Sequence, residues 1–193
     1  MPKTAILILA AGASTRMGRP KQLLPWKNTT LIGNCIKTAK AITADVLVVL
    51  GANATIISDV LPSSVETAIN IGWKNGMGTS IAFGVQQIEE KFQPEQLLVL
   101  LIDQPLIDEA YLKKLLRQNS NKIVATKYGN RVGVPVLFPR TVFKELKNLS
   151  ADHGARHLLE KFKDQLLILE ANGKAVDLDT PENYANYFDT YGK

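Results

Sequence analysis

Cysteine is almost missing from this chain: Cys35 stands alone among 193 residues. No internal disulfide can form, and cysteine usage gives no sign of an oxidising compartment. Long apolar runs are missing too. Stretches such as Leu97 to Ile102 fall far short of the roughly 20 residues a membrane helix needs. The N-terminus lacks the apolar core and small-residue cleavage site of a secretory signal. The expected location is therefore the cytoplasm, with no membrane partner. Carboxylates are absent from the N-terminal region: Lys3, Arg16, Arg19, Lys21, Lys27, Lys37 and Lys40 all precede Asp45, the first acid. That basic bias suits a polyanion. No RNA- or DNA-binding motif and no aromatic-basic interleaving accompany it, so a small anion such as a nucleotide is expected and nucleic acid is not.

What remains is ordinary for a globular protein. Hydrophobic residues make up 46% and charged residues 21%, with a net charge of +5. The length suits a single domain with a real core. Thr4 to Leu9, Val46 to Leu50, Val65 to Ile69 and Leu97 to Ile102 read as strands. Helical stripes lie between them at Leu31 to Ile42, Thr55 to Val60, Ile81 to Phe92 and around Leu112 to Leu116. Thr29 or Thr30 is placed to cap the first of these. Strands apolar at every position belong to a parallel sheet covered on both faces, which predicts a three-layer α/β architecture. After residue 120 the rhythm loosens. Strands at Ile123 to Ala125, Val134 to Phe138 and Leu166 to Leu169 predict strand reversal or an antiparallel addition.

Ligands of such sheets bind beyond the carboxyl ends of the strands. The loop after the first strand, "AAGASTRMGRPK" (10–21), combines Gly12 with Arg16 and Lys21. It is not a P-loop, because five residues separate Gly12 from Gly18. Nor is it a dinucleotide fingerprint, because Ser14 stands where the second glycine belongs. A glycine turn still lets backbone N–H groups approach phosphate, with the cations supplying charge. The alternative is a surface turn with solvated cations. In "LLIDQPL", Asp103 ends the fully apolar strand, as either a helix cap or a ligand for a hard cation such as Mg²⁺. "VDLDTPENY" adds Asp177 and Asp179, which face one side if the segment is extended. Asp179 or Thr180 would equally cap a helix with Pro181 in its first turn. Asn70, Gly76 and Ser80 surround a predicted helix start near Ser80, which is either an anion or base contact or a capped turn plugged by Trp73. His153 and His157 are four apart, but Gly154 stands where a zinc-protease pattern needs Glu. Arg156 beside them is a candidate grip on an anionic acceptor. Cys35, on an apolar stripe, reads as core.

Assembled, these stretches resemble the MobA-like nucleotidyltransferases, most closely their molybdenum cofactor cytidylyltransferase branch. The resemblance rests on "LAAGASTRMGRPKQLLPW" (9–26), "GWKNGMGTSIAFG" (72–84), "LLIDQPL" (100–106), "RVGVPVLF" (131–138), "ADHGARHLL" (151–159) and "VDLDTPENY" (176–184). It implies a Rossmann-like α/β/α fold, with an NTP-binding half over about 1–106 and an acceptor-binding half over about 107–193. It also implies Mg²⁺-dependent transfer of CMP from CTP to a phosphorylated acceptor, molybdopterin first, with a molybdoenzyme as transient partner. GTP or another small phosphate would be the variant. Ala11 before Gly12, where the guanylyl branch has two glycines, favours CTP. On the same footing Leu9, Ala10, Ala11, Gly12, Ser14, Asn70, Gly76 and Ser80 would contact the nucleotide. Arg16 and Lys21 would hold the triphosphate, and Asp103 with Asp177 or Asp179 would bind the metal. Gly133, Pro135 and Arg156 would face the acceptor. The rival from another class is a dinucleotide-binding oxidoreductase, which needs a ribose-binding acid near residue 30; Asn28 to Ala44 contains none.

Overall fold

A computed structural model describes residues 2–118, 121–150 and 155–193. Seven strands form one sheet: β1 (Thr4–Ala10), β4 (Val46–Leu50), β5 (Glu66–Ile69), β6 (Gln96–Leu101), β7 (Ile123–Tyr128), β8 (Arg131–Pro139) and β9 (Leu166–Glu170). Their order is β5-β4-β1-β6-β8-β7-β9. β2 (Pro25–Trp26) and β3 (Thr29–Thr30) make a separate two-stranded antiparallel piece. The pairs β4/β5, β1/β4, β1/β6 and β7/β9 are parallel. β8 runs antiparallel to both β6 and β7, which is the reversal expected after residue 120.

The apolar strands split residue by residue between two cores. Side chains alternate across a strand, so Leu7, Leu47, Val49, Leu97 and Val99 face one side. There they meet Ile81, Val85 and Ile88 of α3 (Met77–Phe92), with α5 (Phe143–Lys147) and α6 (Ala155–Lys161) further along. Ile6, Ile8, Val46, Val48, Leu98 and Leu100 face the other side, under α1 (Leu31–Lys40) and α4 (Glu109–Leu116). Ile6, Leu7 and Ile8 are fully buried. At about 1.5–3 kcal/mol for each such side chain, β1 alone outweighs any one surface contact. β5 is an edge strand with only β4 beside it, which leaves Ile69 exposed.

Several boundaries differ from the sequence reading, each for a local reason. α3 starts at Met77 rather than near Ser80, because Gly76 at φ 102° allows the chain to turn into the helix earlier. The short helix after β4 is α2 (Ala54–Ser58). Of the two threonines considered, Thr30 caps α1, its hydroxyl accepting from the Gly33 N–H at 3.2 Å. Asp108, not Asp103, caps α4 by accepting from the Tyr111 N–H at 2.9 Å. Thr180, not Asp179, caps α7 (Pro181–Tyr187), and Pro181 occupies its first turn. Both candidate aspartates are thereby freed from capping. Among the described residues no helix is long and apolar enough to cross a membrane.

Candidate active site

The direction of chain travel reverses beside β1: β4 and β5 lie on one side of it, while β6, β8, β7 and β9 follow on the other. The crevice at the carboxyl ends of β1 and β6 is thus the switch point at which open α/β sheets bind ligands. The loop after β1 is held there from beneath by Gln22, which is almost fully buried. Its amide donates to the carbonyls of Ala10 and Gly12 at 2.9 and 3.0 Å, and its oxygen accepts from the Ser14 hydroxyl at 3.3 Å. Ser14 sits in the left-handed region at φ 57° and accepts the Lys21 N–H at 3.2 Å. A Cβ built on Gly12 would meet nothing within 4 Å, so that glycine keeps space clear rather than avoiding a neighbour. Gly51 differs: a Cβ there would strike Trp73 at 2.7 Å and the Ala11 carbonyl at 2.8 Å.

Cations and acids from distant parts of the chain meet over this loop. The Lys21 ammonium pairs with Asp103 Oδ2 and, at 3.0 Å, with Asp179 Oδ1. Arg16 reaches Asp179 Oδ2 at 2.9 Å. The segment bearing the second pair of acids is joined to the end of β6, with the Leu178 N–H donating to the Asp103 carbonyl at 2.9 Å. Gln104 Nε2 donates to Asp177 Oδ1 at 2.9 Å. A small third core binds the same regions together: Met17, Leu24, Trp26 and Leu31 pack with Leu178 and Tyr184. The Tyr184 hydroxyl donates to the Pro25 carbonyl at 2.6 Å, and Phe188 lies edge-on to Trp26.

Electrostatics follow from this packing. Burial alone would lower the Lys21 pKa, but Asp103 and then Asp179 outweigh it and raise it above its ordinary value. Burial would raise the Asp179 carboxyl, yet Lys21 and Arg16 hold it below the usual carboxylate range. Asp177 goes the other way. Burial, with the charges of Asp103 and Asp179, pushes it up despite the Gln104 hydrogen bond. Burial and the charge of Asp103 also push the Cys35 thiol up to about 12; the residue is half-buried and packs against the second core rather than lying within it as expected.

Three cavities adjoin these residues. One of about 280 Å³ is lined by Leu9, Ala10, Ala11, Gly12, Lys21, Ser80 and Asp103, together with Trp73 and Met77. A second of about 190 Å³ lies over Gly12, Ser14, Arg16, Lys21 and Asp179. A third of about 530 Å³ is lined by Arg16, Asp177 and Asp179 together with the β7–β8 turn and Arg131. Most expected residues therefore lie together. Asn70 does not line these cavities; its amide donates to Ser80 and Thr79 at 3.0 and 3.2 Å and so positions the start of α3. Gly76 is the turn into that helix. Gly133 and Pro135 lie on β8 outside the 530 Å³ cavity. Gly133 backs the Tyr128 hydroxyl, 2.9 Å from a Cβ placed there. Pro135 offers its carbonyl to Thr126 at 2.7 Å. His153 lies outside the described residues, as do the side chains of Arg156 and His157.

Gln22, Gln104 and Arg131 lie in stretches that carry the resemblance, but sequence reading gave none of them a role of its own. A glutamine directly before Leu23-Leu24 was the one visible sign of the first, since a buried amide among apolar neighbours needs carbonyl or hydroxyl partners.

The chemistry of the acids fits a hard cation. Asp103 is buried, and its Oδ1 has no hydrogen-bond partner. Among the described residues, no group of three or more His, Cys, Asp or Glu side chains could hold a metal ion.

Residues 6–166 match the MobA-like NTP transferase domain. The chain belongs to that family. Relatives include the purine catabolism protein PucB of Bacillus subtilis, 30% identical with 92% of each chain covered. The nicotine blue oxidoreductase of Paenarthrobacter nicotinovorans is 28% identical, covering 94% of this chain and 95% of that one. The molybdenum cofactor cytidylyltransferase of Escherichia coli is 21% identical, covering 96% and 95%. A nucleotidyl transferase structure from Methanothermobacter thermautotroptrophicus superimposes with a TM-score of 0.85 at 21% identity, covering 97% of each chain, which establishes the fold. Nucleotidyl transfer is the activity class of the family, and a divalent metal ion typically accompanies it.

Proposed function

We propose that this protein transfers CMP from CTP to a phosphorylated small molecule, molybdopterin first among acceptors, with Mg²⁺ as the metal. One observation carries the reading: Lys21, which lines two of the cavities, is held between Asp103 and Asp179, and Asp179 also lines the third. In the reaction an acceptor phosphate oxygen bonds to the α-phosphorus of CTP, the α–β bridging bond breaks, and pyrophosphate leaves. Two anions must be brought together, so neutralisation and alignment matter more than a strong base. Mg²⁺ bound by Asp103 with Asp177 or Asp179 would offset charge on the triphosphate.

The chain's own groups supply the rest. Lys21 and Arg16 offer cations along the 190 Å³ cavity, where the triphosphate would lie. Gly12 leaves room for phosphate close to the backbone. The first turn of α3, through Met77 and Ser80, faces the 280 Å³ cavity proposed for the nucleoside. The Ala11 methyl occupies part of that wall, which favours the smaller pyrimidine base. On this reading the NTP-binding half is about 1–106, with Asp179 reaching in from the acceptor half at about 107–193. The family resemblance adds the molybdenum cofactor reading. Dinucleotide oxidation is the weaker reading, because Ser14 breaks the glycine fingerprint and residues 28–44 contain no ribose-binding acid.

The test is to incubate the full chain with Mg²⁺, molybdopterin and each of the four ribonucleoside triphosphates in turn, following pyrophosphate and the dinucleotide product. CTP is expected to be preferred. Preference for GTP would overturn the donor assignment, and transfer only to a sugar or alditol phosphate would overturn the acceptor.

A further inference from the structure

The 530 Å³ cavity is within the size range of small-molecule sites. It shares Arg16 and Asp179 with the 190 Å³ cavity proposed for the triphosphate, so a molecule seated in it can bring one end to the reacting phosphorus. The tip of the β7–β8 hairpin forms part of its lining. There Arg131 is exposed and, among the described residues, has no salt bridge. Arg16 by contrast is committed to Asp179. The same lining includes Asp177 and the amide of Asn183, and Tyr128, Ala175 and Val176 give it an apolar share as large as its polar one. Gln104 fixes Asp177 through one carboxylate oxygen, leaving the other oxygen to accept from a ligand.

Resting on the nucleotidyltransferase reading, we propose that this cavity is the acceptor site and that Arg131 determines acceptor specificity. The ligand class is a phosphate monoester with a polar body rich in N–H or O–H donors. Its phosphate lies at the Arg16 end, Asp177 accepts from the body, and Arg131 binds the body's carbonyl or other acceptor groups. The site is built by the hairpin tip and the 175–183 segment, not by Gly133 and Pro135. Those two residues lie further along β8, outside the cavity lining, with Gly133 giving the Tyr128 hydroxyl its room.

Arg131→Ala tests this, because an exposed side chain at a hairpin tip can be removed without disturbing the core. With wild-type and variant full chains, the KM for molybdopterin is measured at saturating CTP, and the KM for CTP at saturating molybdopterin. A panel of glycerol, alditol and simple alkyl phosphates is run in parallel. The proposal expects acceptor KM to rise by about tenfold, CTP KM to stay within about twofold, and molybdopterin to lose its advantage over alkyl phosphate. Arg131→Lys should recover part of the affinity and less of the selectivity, because an ammonium lacks the planar fork. An unchanged acceptor KM and panel ranking in an active Arg131→Ala enzyme would overturn the site while leaving nucleotidyl transfer intact. A wild-type chain that releases no pyrophosphate from any NTP with any acceptor would overturn both.

Discussion

The acids of the candidate site reach it by two different routes. Asp103 leaves the end of β6, a strand flanked by β1 and β8 in the middle of the sheet, so backbone hydrogen bonds on both sides fix where it emerges. Asp177 and Asp179 lie on a segment outside every strand of the sheet. That segment is positioned by contacts with the first half: Leu178 to the Asp103 carbonyl, Gln104 to Asp177, Lys21 and Arg16 to Asp179, and the small core around Trp26. One side of the site is thus set by sheet topology and the other by side-chain docking onto it. Damage to the first side should spread to the second, and the converse should be weaker.

The largest expected effect comes from Asp103→Asn. The amide preserves shape but removes the negative charge that faces Lys21 and would hold a metal, leaving one neutral oxygen in place of two charged ones. Turnover is expected to fall by about 10²–10³-fold, in the range seen when one electrostatic group is removed from an active site. Pyrophosphate release measures it, with a melting curve to confirm folding. Activity within about tenfold of wild type would remove Asp103 from the reaction.

Gln22→Leu attacks the same side through its scaffold. It keeps most of the volume but leaves the Ala10 and Gly12 carbonyls without their side-chain donor. A buried group left unpaired costs about 1–3 kcal/mol, read as a lower urea midpoint, and the KM for NTP should rise with it. A stable variant with unchanged KM would mean that the loop is held by other contacts. On the docked side, Tyr184→Phe removes only the hydrogen bond to Pro25 and should cost about 0.5–1.5 kcal/mol, with less effect on NTP affinity than Gln22→Leu. Equal effects from the two variants would erase the distinction between the two sides.

The same division explains how much was legible in the sequence. Runs such as Leu97 to Ile102 announce buried strands, and an acid directly after one must emerge at a strand end, so Asp103 and the 10–21 loop could be placed from local pattern. Asp177 and Asp179 could be grouped only by their spacing of two, because nothing local says that residue 178 will bond to residue 103. The cap assignments illustrate the limit. Asp103 and Asp179 are each close to a better-placed capping residue, Asp108 and Thr180, and only backbone geometry decides between neighbours. Arg131 opens the stretch "RVGVPVLF" that carries part of the resemblance, but the pattern drew attention to Gly133 and Pro135, since a cation at a hairpin tip looks like any solvated charge until the cavity it lines is known.

The smallest expected effect separates two residues on the docked side. The folded-state pKa of Asp177 is raised, so ionising it opposes folding: the penalty sets in as pH rises above the unfolded value, about 3.9, and is complete above the folded value. Asp179 has a lowered folded-state pKa, so its ionised form favours folding. That contribution is fully present above the same unfolded value and is lost as pH falls through the folded one. Asp177→Asn should therefore become more stable relative to wild type as pH rises from about 3 to 7, whereas Asp179→Asn should become less stable over the same range. Urea denaturation at both ends of that range checks the signs, and carbon-13 NMR of the carboxyl groups should show Asp177 titrating above Asp179. Both variants moving in the same direction would mean that Lys21 and Arg16 serve the two acids alike. In that case the pairing of Lys21 with Asp103 and Asp179 alone would not describe the charge balance of the site.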